Sequence, residues 1–163
     1  MHGTNKPQAR RPGKRRPRQP PAVIGWREWV TLPEMSGVPV KAKIDTGART
    51  SALHAFGLRI IEGDGAKMAS FELHPVQRSA ADAVRIERPI TAFRKVRSSN
   101  GKVETRPVVK TPITLGTQTW PIDVTLTSRD AMGFRMLLGR AALRRRFVVD
   151  PGRSFVMTTE GGS

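Results

Sequence analysis

Apolar and polar positions alternate along much of this chain. In VPVKAKID, Val38, Val40, Ala42 and Ile44 fall on one face, with Lys41 and Lys43 on the other. That period-two pattern predicts a half-buried strand ending at Asp45. VIGWREWVTL alternates well enough for a single strand, and Pro33 to Gly37 reads as the turn after it. ALHAFGLRII followed by GDGA predicts a short helix or irregular piece, then a strand and a turn; ASFELHPV predicts a further strand. Ser99-Asn100-Gly101 lies between two charged, β-branched flanks. It predicts a tight hairpin, because Asn-Gly supplies the positive φ angles that such a reversal needs. TQTWPIDVTLT opens another strand after a turn at Gly116, and FRMLLG is apolar enough for a buried central strand. RAALRRRF is the one convincing helical pattern, about two turns long, with Arg144, Arg145 and Arg146 at the end where the macrodipole favours cations. FVVDPGRSFVMTT predicts a closing hairpin through Asp150-Pro151-Gly152. The fold class expected is all-β, with roughly eight or more strands and one short C-terminal helix.

The pattern stops at both ends. Residues 1–22 hold seven Lys and Arg, no Asp or Glu, and almost nothing apolar, so nothing offsets the entropy of ordering them. They read as a disordered basic arm, residues 23–158 as one folded domain, and residues 159–163 as a flexible tail. The net charge of +16 is not all in the arm, since the rest carries 22 basic residues against 13 acidic. Eight Lys and Arg against two Glu crowd Arg85 to Lys110, and Arg135, Arg140 and Arg144 to Arg146 form a second group. Either set is a solvated face or a surface that concentrates an acidic partner. The arm is a solubilising tail or an unspecific contact for nucleic acid, because it has no aromatic residue for base stacking. With no cysteine, disulfides and thiolate zinc sites are excluded. No apolar run approaches the ~18 residues of a membrane span, and no apolar segment follows the basic N-terminus, so the expected location is cytoplasmic.

KIDTGART and FRMLLGRAAL carry the chemistry. Asp45 by itself is as easily a turn residue as a reagent. Together the two segments resemble the retropepsin-like aspartic proteases. In that family an apolar strand delivers Asp-Thr/Ser-Gly-Ala into a loop, as Ile44-Asp45-Thr46-Gly47-Ala48 does here. A later strand of two apolar residues and a glycine passes beside the loop and enters a helix. Met136-Leu137-Leu138-Gly139-Arg140, followed by Ala141 to Phe147, has that form. KAKIDTGARTSALHA, VETRPVVKTPITLG and VTLTSRDAMGFRMLLGRAAL are similar to the bacterial and archaeal branch named ATP-dependent zinc proteases. Its members are often associated with RimK-type ligases that add glutamate to a ribosomal protein. The resemblance covers roughly Val23 to Thr158.

The resemblance implies a closed retropepsin-like barrel and an aspartic-type peptidase. Two carboxyls about 3 Å apart cannot both ionise, so the charged one activates water and the protonated one polarises the scissile carbonyl. One Asp-Thr-Gly per chain supplies one carboxyl, and the family's solution is a homodimer with the pair on its twofold axis. Asp45 is then catalytic. Thr46 braces the loop across the pair, Gly47 brings its N–H close to the carboxyl, Ala48 keeps the floor open, and Gly139 lets the Leu137-Leu138 strand pass beneath. Asn100 and Gly101, at the tip of a candidate flap, together with His54 and Arg140, are the expected substrate contacts. The implied substrate is a peptide or protein, acidic or glutamate-rich, with a link to a ribosomal protein or a glutamate ligase.

The residues favour no cofactor. A Gly-x-x-x-x-Gly-Lys-Ser/Thr loop for ATP is absent, as is His-Glu-x-x-His, and the body holds two histidines, His54 and His74. A zinc-dependent protease therefore stands as an alternative to the aspartic reading. A non-enzymatic basic β-domain on RNA or the ribosome is the other, although no aromatic RNA-binding motif is present.

Overall fold

The computed structural model of the chain describes residues 19–76, 79–98, 100–128 and 133–157. Most of the basic arm, Ser99 of the Asn-Gly hairpin and the 159–163 tail lie outside them. Twelve strands and one helix follow in order: β1 (Ala22–Gly25), β2 (Arg27–Leu32), β3 (Ser36–Asp45), β4 (Ser51–His54), β5 (Phe56–Glu62), β6 (Lys67–Leu73), β7 (Val84–Pro89), β8 (Ala92–Arg97), β9 (Val103–Leu115), β10 (Gln118–Thr127), β11 (Met136–Gly139), α1 (Arg140–Leu143) and β12 (Phe147–Asp150). The fold is mostly β, as the alternation implies.

Six strands pair in a closed cycle. The order β10-β4-β11-β3-β2-β9 returns to its start through the antiparallel β9–β10 pair, with β8 added outside β9. Closure removes free edges from the centre of the molecule. One link, β2 to β9, rests on the single pairing Thr31↔Thr114. Inside the cycle, Val40 and Ala42 of β3, Leu53 of β4, Val109 and Ile113 of β9, Val124 of β10 and Leu138 of β11 are completely buried. The Val40, Ala42, Ile44 face of β3 is the inward face, so one slip in register would turn it to solvent. Two smaller sheets complete the molecule: antiparallel β5-β6-β7, and the parallel pair β1–β12.

Four local expectations are corrected. VIGWREWVTL is two strands broken at Trp26, whose N–H donates to the carbonyl of Arg153 at 2.9 Å and whose carbonyl accepts from Ile44 at 2.8 Å. Ser51–His54 is a strand rather than a helical or irregular piece, because β10 and β11 pair with it on both sides. Tertiary pairing overrides weak local preference here. The helix is one turn, not two: Arg144 leaves it at φ −51, ψ 132, and Arg145 is left-handed at φ 65. Arg144 is therefore the C-cap and Arg145 and Arg146 lie past the helix, with only one turn of aligned peptides behind them. Finally, the Asp150 turn forms, with the Gly152 N–H donating to Asp150 Oδ1 at 2.9 Å, but among the described residues no returning strand pairs with β12. The returning segment is held by the Arg153 carbonyl on the Trp26 N–H, by the Phe155 N–H on the Arg27 carbonyl at 2.9 Å, and by a side chain. Glu28, fully buried in β2, accepts the N–H groups of Gly25 (3.1 Å), Val156 (2.8 Å) and Met157 (2.7 Å).

Among the described residues no helix is long and apolar enough to cross a membrane.

Candidate active site

β3 and β11 run parallel, with Leu138 opposite Ile44 and Gly139 opposite Asp45. Both strands end at the same level, and both chains turn there. The loop after β3 folds back onto its own aspartate. Asp45 Oδ1 accepts the N–H of Gly47 at 3.0 Å and of Ala48 at 3.2 Å, which fixes the carboxylate's direction. No described residue bonds its second oxygen, and Asp45 is half-buried while Thr46 and Gly47 are exposed. A Cβ on Gly47 would lie 3.2 Å from that same Oδ1, so glycine is what permits the short approach.

The loop is clasped from below by the β11–α1 junction. The N–H of Gly139 donates to Ser51 Oγ at 3.0 Å, that of Arg140 to the carbonyl of Ala48 at 2.7 Å, and that of Ala141 to the carbonyl of Arg49 at 3.0 Å. The first N–H groups of a helix have no partner inside it, and here the aspartate loop supplies the acceptors. Arg140 adds its side chain, with Nη1 2.9 Å from the carbonyl of Thr46. At Gly139 a Cβ would lie 2.6 Å from the carbonyl carbon of Thr50 and 3.0 Å from the oxygen of Ala48. Asp45, Thr46, Gly47, Ala48, Gly139 and Arg140 are thus one connected unit.

His54, an expected substrate contact, sits at a different level from the aspartate loop. β4 runs antiparallel to β11, so Ser51 lies beside Gly139 while the His54 N–H bonds the carbonyl of Arg135, at 2.8 Å. Four residues of β11 separate those levels, about 13 Å at ~3.3 Å per residue. There His54 is buried and stacked on Phe56 at 4.0 Å, with His74 on the other face of the run at 3.7 Å from Phe56. Asn100 and Gly101 occupy the tip of the β8–β9 hairpin, closed by the Ser98 N–H on the carbonyl of Lys102 at 2.8 Å. Gly101 has φ 83, the left-handed conformation the Asn-Gly pair foretold. The tip makes no bond to the aspartate loop among the described residues.

The charge pattern of the sequence acquires a location. Arg94, from the first basic group, and Arg144 and Arg146, from the second, line one cavity of about 410 Å³ with Arg49 and Thr50 of the aspartate loop. A second, shallower cavity of about 430 Å³ adjoins Thr46 and Arg140 and is walled by Leu143, Phe147, Val149 and Pro151. Sequence spacing gave no hint of either, because the lining residues come from separate segments.

Donors for a catalytic zinc are not gathered: no group of three or more His, Asp or Glu among the described residues stands close enough to share an ion. The residues in hand do not fit the metal in the branch's name.

The sequence profile of the RimB-like family, described as retropepsin-like aspartic endopeptidase RimB, matches residues 23–160. The chain belongs to this family. Curated relatives include three proteins named probable alpha-L-glutamate ligase. Those of Desulfotalea psychrophila and Parasynechococcus marenigrum are 43% and 46% identical, each over 79% of this chain and 28% of its own length. That of Shewanella pealeana is 42% identical over 85% of this chain and 30% of its own. The chain therefore spans less than a third of these relatives. A crystal structure of a Legionella pneumophila protein described as of unknown function (DUF785) superposes with a TM-score of 0.66 and 30% identity. The match covers 84% of this chain and 98% of that one.

Proposed function

We propose that the protein is an aspartic-type peptidase that hydrolyses peptide bonds in acidic substrates, using Asp45 from each of two identical chains. The observation that carries the reading is the clasped aspartate: a carboxylate oriented by two backbone N–H groups, at an exposed turn, braced by the β11–α1 junction. Across a twofold axis the two Asp45 carboxyls share one proton. The ionised member takes a proton from water, and the resulting oxygen attacks the carbonyl that the protonated member polarises. Collapse of the tetrahedral intermediate breaks the C–N bond, with a proton delivered to the leaving nitrogen.

Two observations support an acidic substrate. Arg49 and Thr50, which follow the aspartate, line the arginine-rich cavity, and relatives carry the name of an enzyme that handles glutamate. In this reading the product of a glutamate ligase, a peptide bearing added glutamate, is what the enzyme trims.

Asp45→Asn tests the reading. Hydrolysis of a glutamate-rich fluorogenic peptide should fall by at least ~10²-fold, the scale of general acid–base catalysis, with the oligomer intact by light scattering. Retained hydrolysis, or an active monomer, would overturn the shared pair. Loss of activity to a chelator, restored by Zn²⁺, would favour the metalloenzyme instead.

A further inference from the structure

Four arginines line one cavity: Arg49 from the loop after Asp45, Arg94 from β8, and Arg144 and Arg146 from the turn after α1. Asp123 is the one carboxylate in the lining, and its Oδ1 is 4.0 Å from Lys110 Nζ. None of the four arginines forms an ion pair among the described residues. Among the described residues, four arginines thus stand against one carboxylate in the lining.

The cavity is also partly built in advance. The Arg146 guanidinium lies 4.8 Å over the Trp120 ring and bonds Gln118 Oε1 at 3.4 Å, while Trp120 is tied by Nε1 to the carbonyl of Ala142 at 3.1 Å. Arg49 has its backbone fixed by the Ala141 N–H at 3.0 Å. Arg49 is thus held at a set place four residues from the candidate catalytic carboxylate.

We infer that this cavity is a specificity subsite, receiving two or more carboxylate side chains of the substrate peptide beside the bond addressed by Asp45. It rests on the peptidase reading above and names the residues that select the substrate. Guanidinium forks bind carboxylates through paired, charge-assisted hydrogen bonds, stronger than neutral ones. Several of one sign around a concave wall raise the local concentration of an anionic chain. A nucleic acid fits less well, because the indole of Trp120, the aromatic in the lining, already has a guanidinium over its ring. Arg94 belongs to β8, one arm of the hairpin tipped by Asn100 and Gly101, so a bound acidic chain ties that hairpin to the aspartate loop.

The test compares two charge-matched double variants of the whole chain. Arg94→Ala/Arg144→Ala removes two cavity charges; Arg59→Ala/Arg153→Ala removes two exposed charges outside it. The first readout is the ratio of kcat/KM for an acidic peptide to that for a neutral peptide of equal length. The second is fluorescence anisotropy of labelled oligo-glutamate on the Asp45→Asn background. The cavity pair should lower both the ratio and the affinity by about tenfold or more, as expected for lost charge-assisted bonds, with little change from the control pair. Equal losses from both pairs would reduce the effect to net charge and overturn the subsite. Oligo-glutamate that fails to bind, while single-stranded RNA binds through these arginines, overturns it as well. If no peptide is cut but arginine-dependent binding of oligo-glutamate remains, the peptidase reading falls and the acidic subsite stands.

Discussion

Gly139 has backbone where a side chain would go. A methyl group there would sit 2.6 and 2.7 Å from the carbonyl carbon and oxygen of Thr50, and neither can move aside by changing rotamer. Gly139→Ala should therefore cost about 2–3 kcal/mol by overpacking, visible as a drop of several degrees in Tm. Because Thr50 belongs to the loop that carries Asp45, hydrolysis should fall by more than the loss of folded protein explains. Unchanged activity per folded molecule would mean that the clasp does not position the aspartate. Asp45 and Gly139 were both legible in the sequence because each sits in a short, contiguous motif, although the contacts that join them are long-range. The four arginines of the cavity were not legible as a set. They come from three segments, and what joins them is the path of β8 and the turn after α1, which no local pattern encodes.

Strands declare themselves where one face is core and the other solvent, as in β3. They hide where burial is on both sides: Ser51–His54 has no alternation to read, and its neighbours β10 and β11 decide its conformation. The helix ended early for a related reason. Phe147 is buried within β12, which pairs with β1, and reaching it from Leu143 needs the left-handed turn at Arg145. The C-terminal segment escaped a pattern-based reading because it is held by scattered bonds to Trp26, Arg27 and the Glu28 side chain rather than by a strand ladder. Glu28 takes up three N–H groups and sits fully buried, so Glu28→Ala leaves the buried Gly25 N–H and the partly buried Val156 and Met157 N–H groups without their acceptor. An unsatisfied buried group costs about 1–3 kcal/mol each, and a loss of about 3 kcal/mol or more should appear in denaturant unfolding. Hydrogen exchange should rise first at Val156 and Met157. Exchange that rises uniformly would show that Glu28 does not act as a local strap.

At the scale of the whole molecule, the unfinished part is the β1–β12 sheet. It has two strands, and Val23 and Val148 are 42% and 53% exposed on it. Two-stranded sheets are marginal in water, and open edges accept further strands. The apolar wall of Leu143, Phe147 and Val149 lies beside Thr46 on the other face of β12 from Val148, so the aspartate loop and the exposed valines flank the same strand. A second copy that paired with the open strand edges across a twofold axis would cover the exposed valines and could bring two Asp45 loops together in one isologous contact. Val23→Asp with Val148→Asp should therefore leave the chain folded by circular dichroism, shift it to a monomer in light scattering, and remove hydrolysis. Subunit mixing tests the shared pair without touching the interface. If each site needs Asp45 from both chains, wild type equilibrated with a tenfold excess of Asp45→Asn protein is drawn into mixed dimers, and roughly a tenth of its activity survives. If each chain carried a complete site, the excess would leave the activity unchanged, and the twofold pair would have to be abandoned even in a protein that dimerises.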